Sequence, residues 1–238
     1  MTTCRASIPA LLLAAAALAA AQPNRLTATE RRDGWRLLFD GSTTAGWEEI
    51  TGKPFPANCW TVEDGSLKAI PRTDGFQDIR TRETFRSFEL QFEWKLGPRG
   101  NSGVKYRIQK IDEWKNAAGR QARARGLEYQ LADPDSDDIA GDPRRFTAAL
   151  YSLIAPAPAA APRLGEFNHS RLVVHGSHVE HWLNGVKVVE FDTAGPDVRK
   201  LLRTYRPQGE LTVESPISLQ NHGTNAWFRS IKVRPLPD

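Results

Sequence analysis

Sulfur chemistry is almost absent from this chain. Two cysteines stand in 238 residues. Cys4 lies in a leading segment that reads as removable, so Cys59 is the sole remaining thiol and no internal disulfide can form. Long apolar runs are also missing. The nearest, residues 8–21, is built almost wholly of Ala and Leu and falls short of the ~20 residues needed to cross a bilayer. It follows Arg5 and ends in Ala19-Ala20-Ala21, the order of a secretory signal, while Cys4 precedes the run and so offers no lipid attachment point. The expectation is an exported, released protein, periplasmic or secreted, with no membrane span once the signal is gone. Charge of one sign is lacking as well: 32 Lys and Arg face 28 Asp and Glu for a net of +4, and +3 without Arg5. Acids and bases are interspersed, as in Glu30-Arg31-Arg32-Asp33, which marks a solvated surface and excludes nucleic acid as a partner. The chain has no Gly-rich phosphate loop and no Ser nucleophile elbow. No two histidines have the i, i+4 spacing of a zinc helix.

Strand signals are abundant. Residues 60–63 and 66–70 flank Asp64-Gly65, and residues 178–183 and 186–191 flank Asn184-Gly185, both hairpin turn pairs. Residues 88–96 alternate apolar and polar side chains without a break, as one half-buried strand does. Residues 104–108 and 127–131 repeat the pattern. The Lys-, Arg- and Ala-rich stretch from Gln109 to Gly126 between them reads as a loop or short helix, and Pro196 to Tyr205 as a helix. Roughly eleven short strands with little helix predict an all-β, antiparallel sandwich of two sheets of jelly-roll type. The expected organisation is a signal peptide (1–21), a linker (22–33) and one domain (34–236), with Ala155 to Pro162 an extended loop inside it.

Alternation places Lys105 and Arg107 on the polar face of one strand and Glu128 and Gln130 on that of another, so acid and base meet if the two strands are neighbours. A solvated ion-pair ladder has the same pattern. Asn101-Ser102-Gly103 opens the first strand and Asp133-Pro134 closes the second, and these polar turn residues favour a site. The five histidines, His169, His175, His178, His181 and His222, all lie beyond residue 168. Their spacing specifies no metal site, and leaves open a divalent ion held by oxygen ligands and one histidine. Cys59 reads as a core residue. Of the seven tryptophans, Trp60 and Trp94 have the period of core, whereas Trp47, Trp114 and Trp182 are free to stack on sugar rings.

The same segments resemble, in order, the 3-keto-disaccharide hydrolase family (3-keto-glucoside lyase and hydratase), once a domain of unknown function. The matching stretches are 34–41 with Gly46-Trp47, Asp78-Ile79 with Thr81, 85–94, Gly100 to Tyr106, Leu127 to Gln130 with Asp133, 165–169, 179–187, and Pro216 to Gly223 with 227–229. Two departures stand out. Glu166-Phe167-Asn168 replaces the family's usual Glu-Trp-Asn, and Gln220-Asn221-His222 stands where Gln-Asp-His is common, removing a carboxylate beside His222.

The resemblance implies a concanavalin A-like lectin/glucanase jelly-roll sandwich, bacterial export, and action on glycosides oxidised at carbon 3. A ketone there acidifies the proton on carbon 2, so a base removes it, an enolate forms, the group on carbon 1 is eliminated, and water can add back. That route needs a base and an enolate stabiliser, not the paired carboxylates of an ordinary glycosidase. The catalytic candidates are Glu128 or His222 as base and Lys105, Arg107 or a metal ion as enolate holder. Asn101, Arg107, Gln130, Asp133, Asp78 and Trp182 are the candidates for binding a small carbohydrate. A carbohydrate-binding module without turnover remains the alternative, because the sandwich fold hosts both.

Overall fold

Apolar residues at every second position build sheets that bury one face each. In the computed structural model, which describes residues 22–71, 75–158, 161–205, 211 and 213–237, two sheets pack face to face. The expected signal segment lies outside the described residues. The first sheet holds β1 (Arg36–Leu37), β3 (Trp60–Glu63), β4 (Ser66–Ala69), β7 (Phe88–Leu96), β10 (Asn168–His175), β11 (His178–Leu183), β12 (Val186–Asp192) and β14 (Ala226–Pro235). Its order is β12-β11-β10-β7-β14-β4-β3, with β1 also on β14. The second holds β2 (Trp47–Glu49), β5 (Gly75–Gln77), β6 (Ile79–Thr81), β8 (Asn101–Asn116), β9 (Gly119–Ala132) and β13 (Ser218–Leu219), in the order β2-β6-β13-β8-β9-β5. All pairings are antiparallel except β5 with β9. The architecture is the expected two-sheet, lectin-like jelly roll.

Both turn pairs close hairpins as expected. Asp64 and Gly65 take φ of 47° and 71°, and Asn184 and Gly185 take 48° and 85°, the left-handed geometry of two-residue hairpin turns. The predicted helix is present as α2 (Pro196–Tyr205). The segment expected as a linker contains α1 (Ala28–Arg32) and is tied to the sandwich: Asn24 Nδ2 donates to the Gly65 carbonyl, and Glu30 pairs with Lys232.

The stretch expected as a loop or helix between residues 109 and 126 is instead strand, the far half of a long β8–β9 hairpin. Its Lys, Arg and Ala content disfavours strand locally. Two features outweigh that: β5 adds to its outer edge, and Ala122 and Ala124 bury against Ile50 and Ile108. The register shifts between Tyr106 and Lys110, and Arg107 there has φ 47°, a β-bulge that breaks the alternation.

Between the sheets, Phe88, Leu90, Phe92 and Trp94 of β7 meet Val104, Tyr106, Leu127, Tyr129 and Leu131. Trp60 and Trp94 are core, as expected. Trp47, expected to be free, is buried too, its Nε1 donating to the Leu38 carbonyl at 2.6 Å. The core carries one polar chain. Trp94 Nε1 donates to Ser170 Oγ, which lies 2.8 Å from the Tyr129 hydroxyl, and Tyr129 donates to the Trp182 carbonyl at 2.9 Å. Beside it, fully buried His181 donates from Nδ1 to the Ala148 carbonyl (2.9 Å) and accepts the Tyr106 hydroxyl proton at Nε2 (2.8 Å). Both nitrogens are used by a neutral ring, and burial pushes the His181 pKa down to about 4.

The unfolded chain protonates this histidine near pH 6.5 and the folded protein only near 4. Stability is therefore complete above pH 6.5 and falls as pH drops towards 4, by about 3 kcal/mol. Urea midpoints between pH 7 and 4 are expected to show this loss. His181→Gln, which keeps a donor and an acceptor without a titrating ring, is expected to flatten that part of the slope.

Candidate functional site

The outer face of the second sheet carries a polar cluster where β13, β8 and β9 run side by side. Register aligns Ser218 with Lys105 and Lys105 with Glu128, so the three share one face. In the next row Gly103 opposes Gln130, and the Gln220 amide donates to the Gly103 carbonyl at 2.9 Å. Lys105 is 4% exposed, and its Nζ lies 3.0 Å from Oδ2 of Asp78, which is fully buried. That oxygen also accepts the Ala124 amide (3.1 Å), and Oδ1 accepts the Asn221 amide (3.2 Å). Asp78 stands between β5, which pairs with β9, and β6, which pairs with β13, so one carboxylate joins three parts of the sheet to the ammonium. A buried ion pair is retained at a desolvation cost and makes a poor stabiliser. A fixed positive charge beneath a polar face is the return.

Gly103 shapes the same floor. Any Cβ placed on it would overlap Glu128 Oε1 and lie 3.0 Å from Glu128 Cδ, so glycine is what lets the Glu128 carboxylate lie across β8. Around it, Ser218 Oγ, Gln220 Oε1 and Gln130 Oε1 are buried with no hydrogen-bond partner in the protein. Buried polar atoms are seldom left unpaired, and three of them around one lysine match the hydroxyl-rich surface of a sugar.

A second group forms the rim. Asn101 Nδ2 donates to Asp138 Oδ2 at 2.7 Å, and Asn101 Oδ1 accepts from Gln130 Nε2 at 3.2 Å. His222 Nδ1 lies 3.6 Å from the same Asp138 oxygen. Burial is the main cause that lowers the His222 pKa, and Arg123 and Lys105 add to it, whereas Asp138 and Asp78 oppose it. The ring is thus neutral at pH 7. Asp133 accepts the Arg99 and Asp135 amides, both at 2.9 Å, and so fixes the start of the loop that delivers Asp138.

The structure therefore gathers Lys105, Glu128, His222, Asn101, Gln130 and Asp78 and places Asp133 behind them. Two candidates lie elsewhere. Arg107 does not share the Lys105 face: the bulge turns it to the Gly176 carbonyl at the β10–β11 turn. Trp182 lies on the outer face of the first sheet, with the Arg171 guanidinium 4.8 Å from its ring and its Nε1 donating to Glu180. Phe167, the aromatic departure from the family pattern, packs under Arg229, 3.6 Å from its ring centre. Cys59 is buried against Gln77, and burial pushes its thiol up to about 11. Sequence reasoning passed over Ser218, Arg123 and Asp138. Ser218 and Gln220 share a strand parity that was readable, but Asp138 lies in an irregular loop with no periodic signal.

Among the described residues one group has the composition of a divalent-ion site: His178, Glu180 and Glu190, whose ligand atoms lie within 4.8 Å of one another. It sits on the outer face of β11 and β12, in the sheet opposite Lys105. Lys187 Nζ and Trp182 Nε1 already bond to Glu180, so an ion there would compete with Lys187. At the Lys105 face, both oxygens of Asp78 are taken by N–H donors.

Comparison with known proteins gives a consistent result. A family model described as a 3-keto-alpha-glucoside-1,2-lyase-like domain matches residues 34–234. A protein of Bacteroides thetaiotaomicron named 3-keto-disaccharide hydrolase is 30% identical over 245 aligned residues, covering 92% of this chain and 84% of that protein. The crystal structure of a presumed glycosyl hydrolase from Parabacteroides distasonis superposes with a TM-score of 0.77 at 27% identity, over 91% of this chain and all of that one. A galectin-like protein from Bacillus subtilis, at TM-score 0.51 and 13% identity over 90% and 94% of the two chains, shares the fold alone.

Asp78→Asn is expected to destabilise the protein by about 3–5 kcal/mol, because it leaves the Lys105 ammonium buried without a counter-charge. Gly103→Ala is expected to cost less than about 1 kcal/mol, since only the far end of Glu128 must move, yet to lower activity by displacing that carboxylate. Denaturant melts of the two variants against the wild type check the stability changes, and a turnover assay of Gly103→Ala checks the loss of activity.

Proposed function

The chain belongs to the 3-keto-disaccharide hydrolase family, and from that membership we propose that it cleaves 3-keto-glycosides on the Lys105 face by elimination. The observation that carries the assignment of the site is the buried Lys105 ammonium surrounded by unpaired sugar-type acceptors. Placed with its carbon 3 carbonyl at Lys105 Nζ, a keto-sugar presents its developing enolate oxygen to a cation that is already desolvated, where electrostatic stabilisation is strongest.

His222 is the base. It is neutral, its Nδ1 side faces Asp138, and its other nitrogen is directed by that contact, as a general base requires. It takes the proton from carbon 2 as the carbon 3 carbonyl becomes an enolate. The enolate electrons then return, carbon 1 to carbon 2 becomes a double bond, the glycosidic carbon–oxygen bond breaks, and the leaving oxygen recovers the proton from the imidazolium. Water adding to the enone completes a net hydrolysis. Glu128, Gln130, Asn101, Ser218 and Gln220 orient the hydroxyls. Asp133 supports Asp138 from behind. Paired-acid hydrolysis would call on Asp78 as a partner for Glu128, but its oxygens are committed to Lys105 and to two amides. The leader at residues 1–21 supports a periplasmic or secreted setting, where oxidised disaccharides would be met.

The test is release of the leaving sugar from a 3-keto-disaccharide and from its unoxidised parent, with and without chelator. Release from the keto-sugar alone is expected; release from neither would return the chain to the binding-module reading. Lys105→Ala and His222→Gln are each expected to lower kcat by about 10²–10⁴-fold. Because the base works neutral and its pKa is depressed, activity is expected to hold through pH 6.5 and to fall on further acidification. Asp138→Asn removes a charge that raises the His222 pKa, so it is expected to move that acid limb to lower pH.

A further inference from the structure

The far half of the β8–β9 hairpin touches the site above through the Ala124 amide and Arg123, and it also carries a second set of unpaired polar atoms. Trp114 on β8 and Gln121 on β9 are cross-strand partners, and Asp112 and Arg123 are the next pair on that face. Trp114 is 38% exposed, an unusual position for the largest apolar side chain. Gln121 is 2% exposed, and its Nε2 has no hydrogen-bond partner; Arg123 Nε is also buried and unpaired. The Arg123 guanidinium lies 6.0 Å from the Trp114 ring, and its Nη2 lies 3.4 Å from the Asn221 carbonyl, next to His222. At the hairpin tip Trp114 also borders a cleft of about 430 Å³, whose other lining residues, Glu113, Lys115 and Arg120, alternate onto the face opposite Gln121 and Arg123. The tip of the hairpin is held in place by Arg120, which makes two bonds to Glu49 at 2.8 and 2.9 Å and two to Glu113.

An aromatic face beside buried N–H donors that lack acceptors is the chemistry that holds a pyranose: the ring's C–H face stacks on the indole and its oxygens accept from the amide and the guanidinium. The residues run from His222 through Arg123 to Trp114, outward from the reacting carbon. We propose that this hairpin face is the subsite for the leaving sugar, with Trp114 as its platform and Gln121 and Arg123 as its donors. The proposal rests on the keto-glycoside reading of the Lys105 face and adds a specificity determinant to it. The leaving group preferred here is a hexose, and an aglycone without hydroxyls forgoes these bonds.

The test compares two substrates on the wild type and on Trp114→Ala: a 3-keto-disaccharide and methyl 3-keto-glucoside, whose leaving group is too small to reach the hairpin. Trp114→Ala is expected to raise KM for the disaccharide about tenfold or more and to leave both constants for the methyl glycoside near wild type. Gln121→Leu, which keeps the volume and removes the donor, is expected to act in the same direction. Equal effects on both substrates, or none on either, would overturn the subsite. Binding of the unoxidised disaccharide, read by calorimetry, gives an answer independent of turnover. Loss of that binding in Trp114→Ala supports the subsite even if the wild type cleaves neither keto-sugar, an outcome that would sink the elimination reading alone. Binding unchanged by the substitution would sink the subsite.

Discussion

The buried pair between Lys105 and Asp78 is the constraint around which the second sheet is organised. Asp78 is fully enclosed, and its two oxygens take an ammonium and the amides of Ala124 and Asn221. Those three donors come from β8, β9 and the segment after β13, so the carboxylate adds a buried side-chain link to the backbone pairing of these segments. A carboxylate that satisfies three strands at once cannot be replaced by a neutral group of the same shape without stranding the lysine. The arrangement spends stability to keep a cation desolvated and still, and that is the condition under which a cation is most effective beside a developing enolate.

The two outer faces of the sandwich use similar residue types to opposite effect. On the first sheet, cations are paired off: Arg171 and Arg234 both bond Glu89, Arg229 bonds Glu93, and the same cations or their neighbours cover Trp35, Trp182 and Phe167. Trp227 lies between Lys68 and Lys95. Such contacts fill a surface and leave little over for a ligand. On the second sheet, buried oxygens of Ser218, Gln220 and Gln130 near Lys105 and buried nitrogens of Gln121 and Arg123 along the hairpin have no partner in the protein. Unsatisfied hydrogen-bonding capacity, more than charge, separates the functional face from the merely solvated one.

The β-bulge at Arg107 links fold to site. By ending strict alternation it sends Arg107 towards the Gly176 turn, linking β8 of the second sheet to the β10–β11 turn of the first, and it re-aims the remainder of the hairpin so that β5 can add to β9. The parallel addition of β5 brings Asp78 to its place beside Ala124. Without the bulge, the extra cation would stand in the Lys105 row and the hairpin tip would lie elsewhere.

What the sequence determined by itself was local. Period-two alternation identified the buried faces of β7, β8 and β9, and Asp64-Gly65 and Asn184-Gly185 set two hairpins, since both signals depend only on neighbouring residues. Alternation also placed Lys105, Glu128 and Gln130 on polar faces, the polar strand ends pointed to Asn101 and Asp133, and motif resemblance added Asp78 and a role for His222. The tertiary structure decided which of these meet. Lys105 finds Asp78 from 27 residues earlier, and the Asp78 carboxylate holds an amide 143 residues away. Such contacts follow from strand order, which no local pattern encodes. Local pattern likewise misassigned the 109–126 stretch, where partner strands overrode composition. It carried Arg107 to the wrong face, because the irregularity between Tyr106 and Lys110 breaks the alternation at that residue. Trp182 and Trp47 show the same limit: period marks them as aromatic residues on strands, and only packing decides that one covers an outer face and the other fills the core.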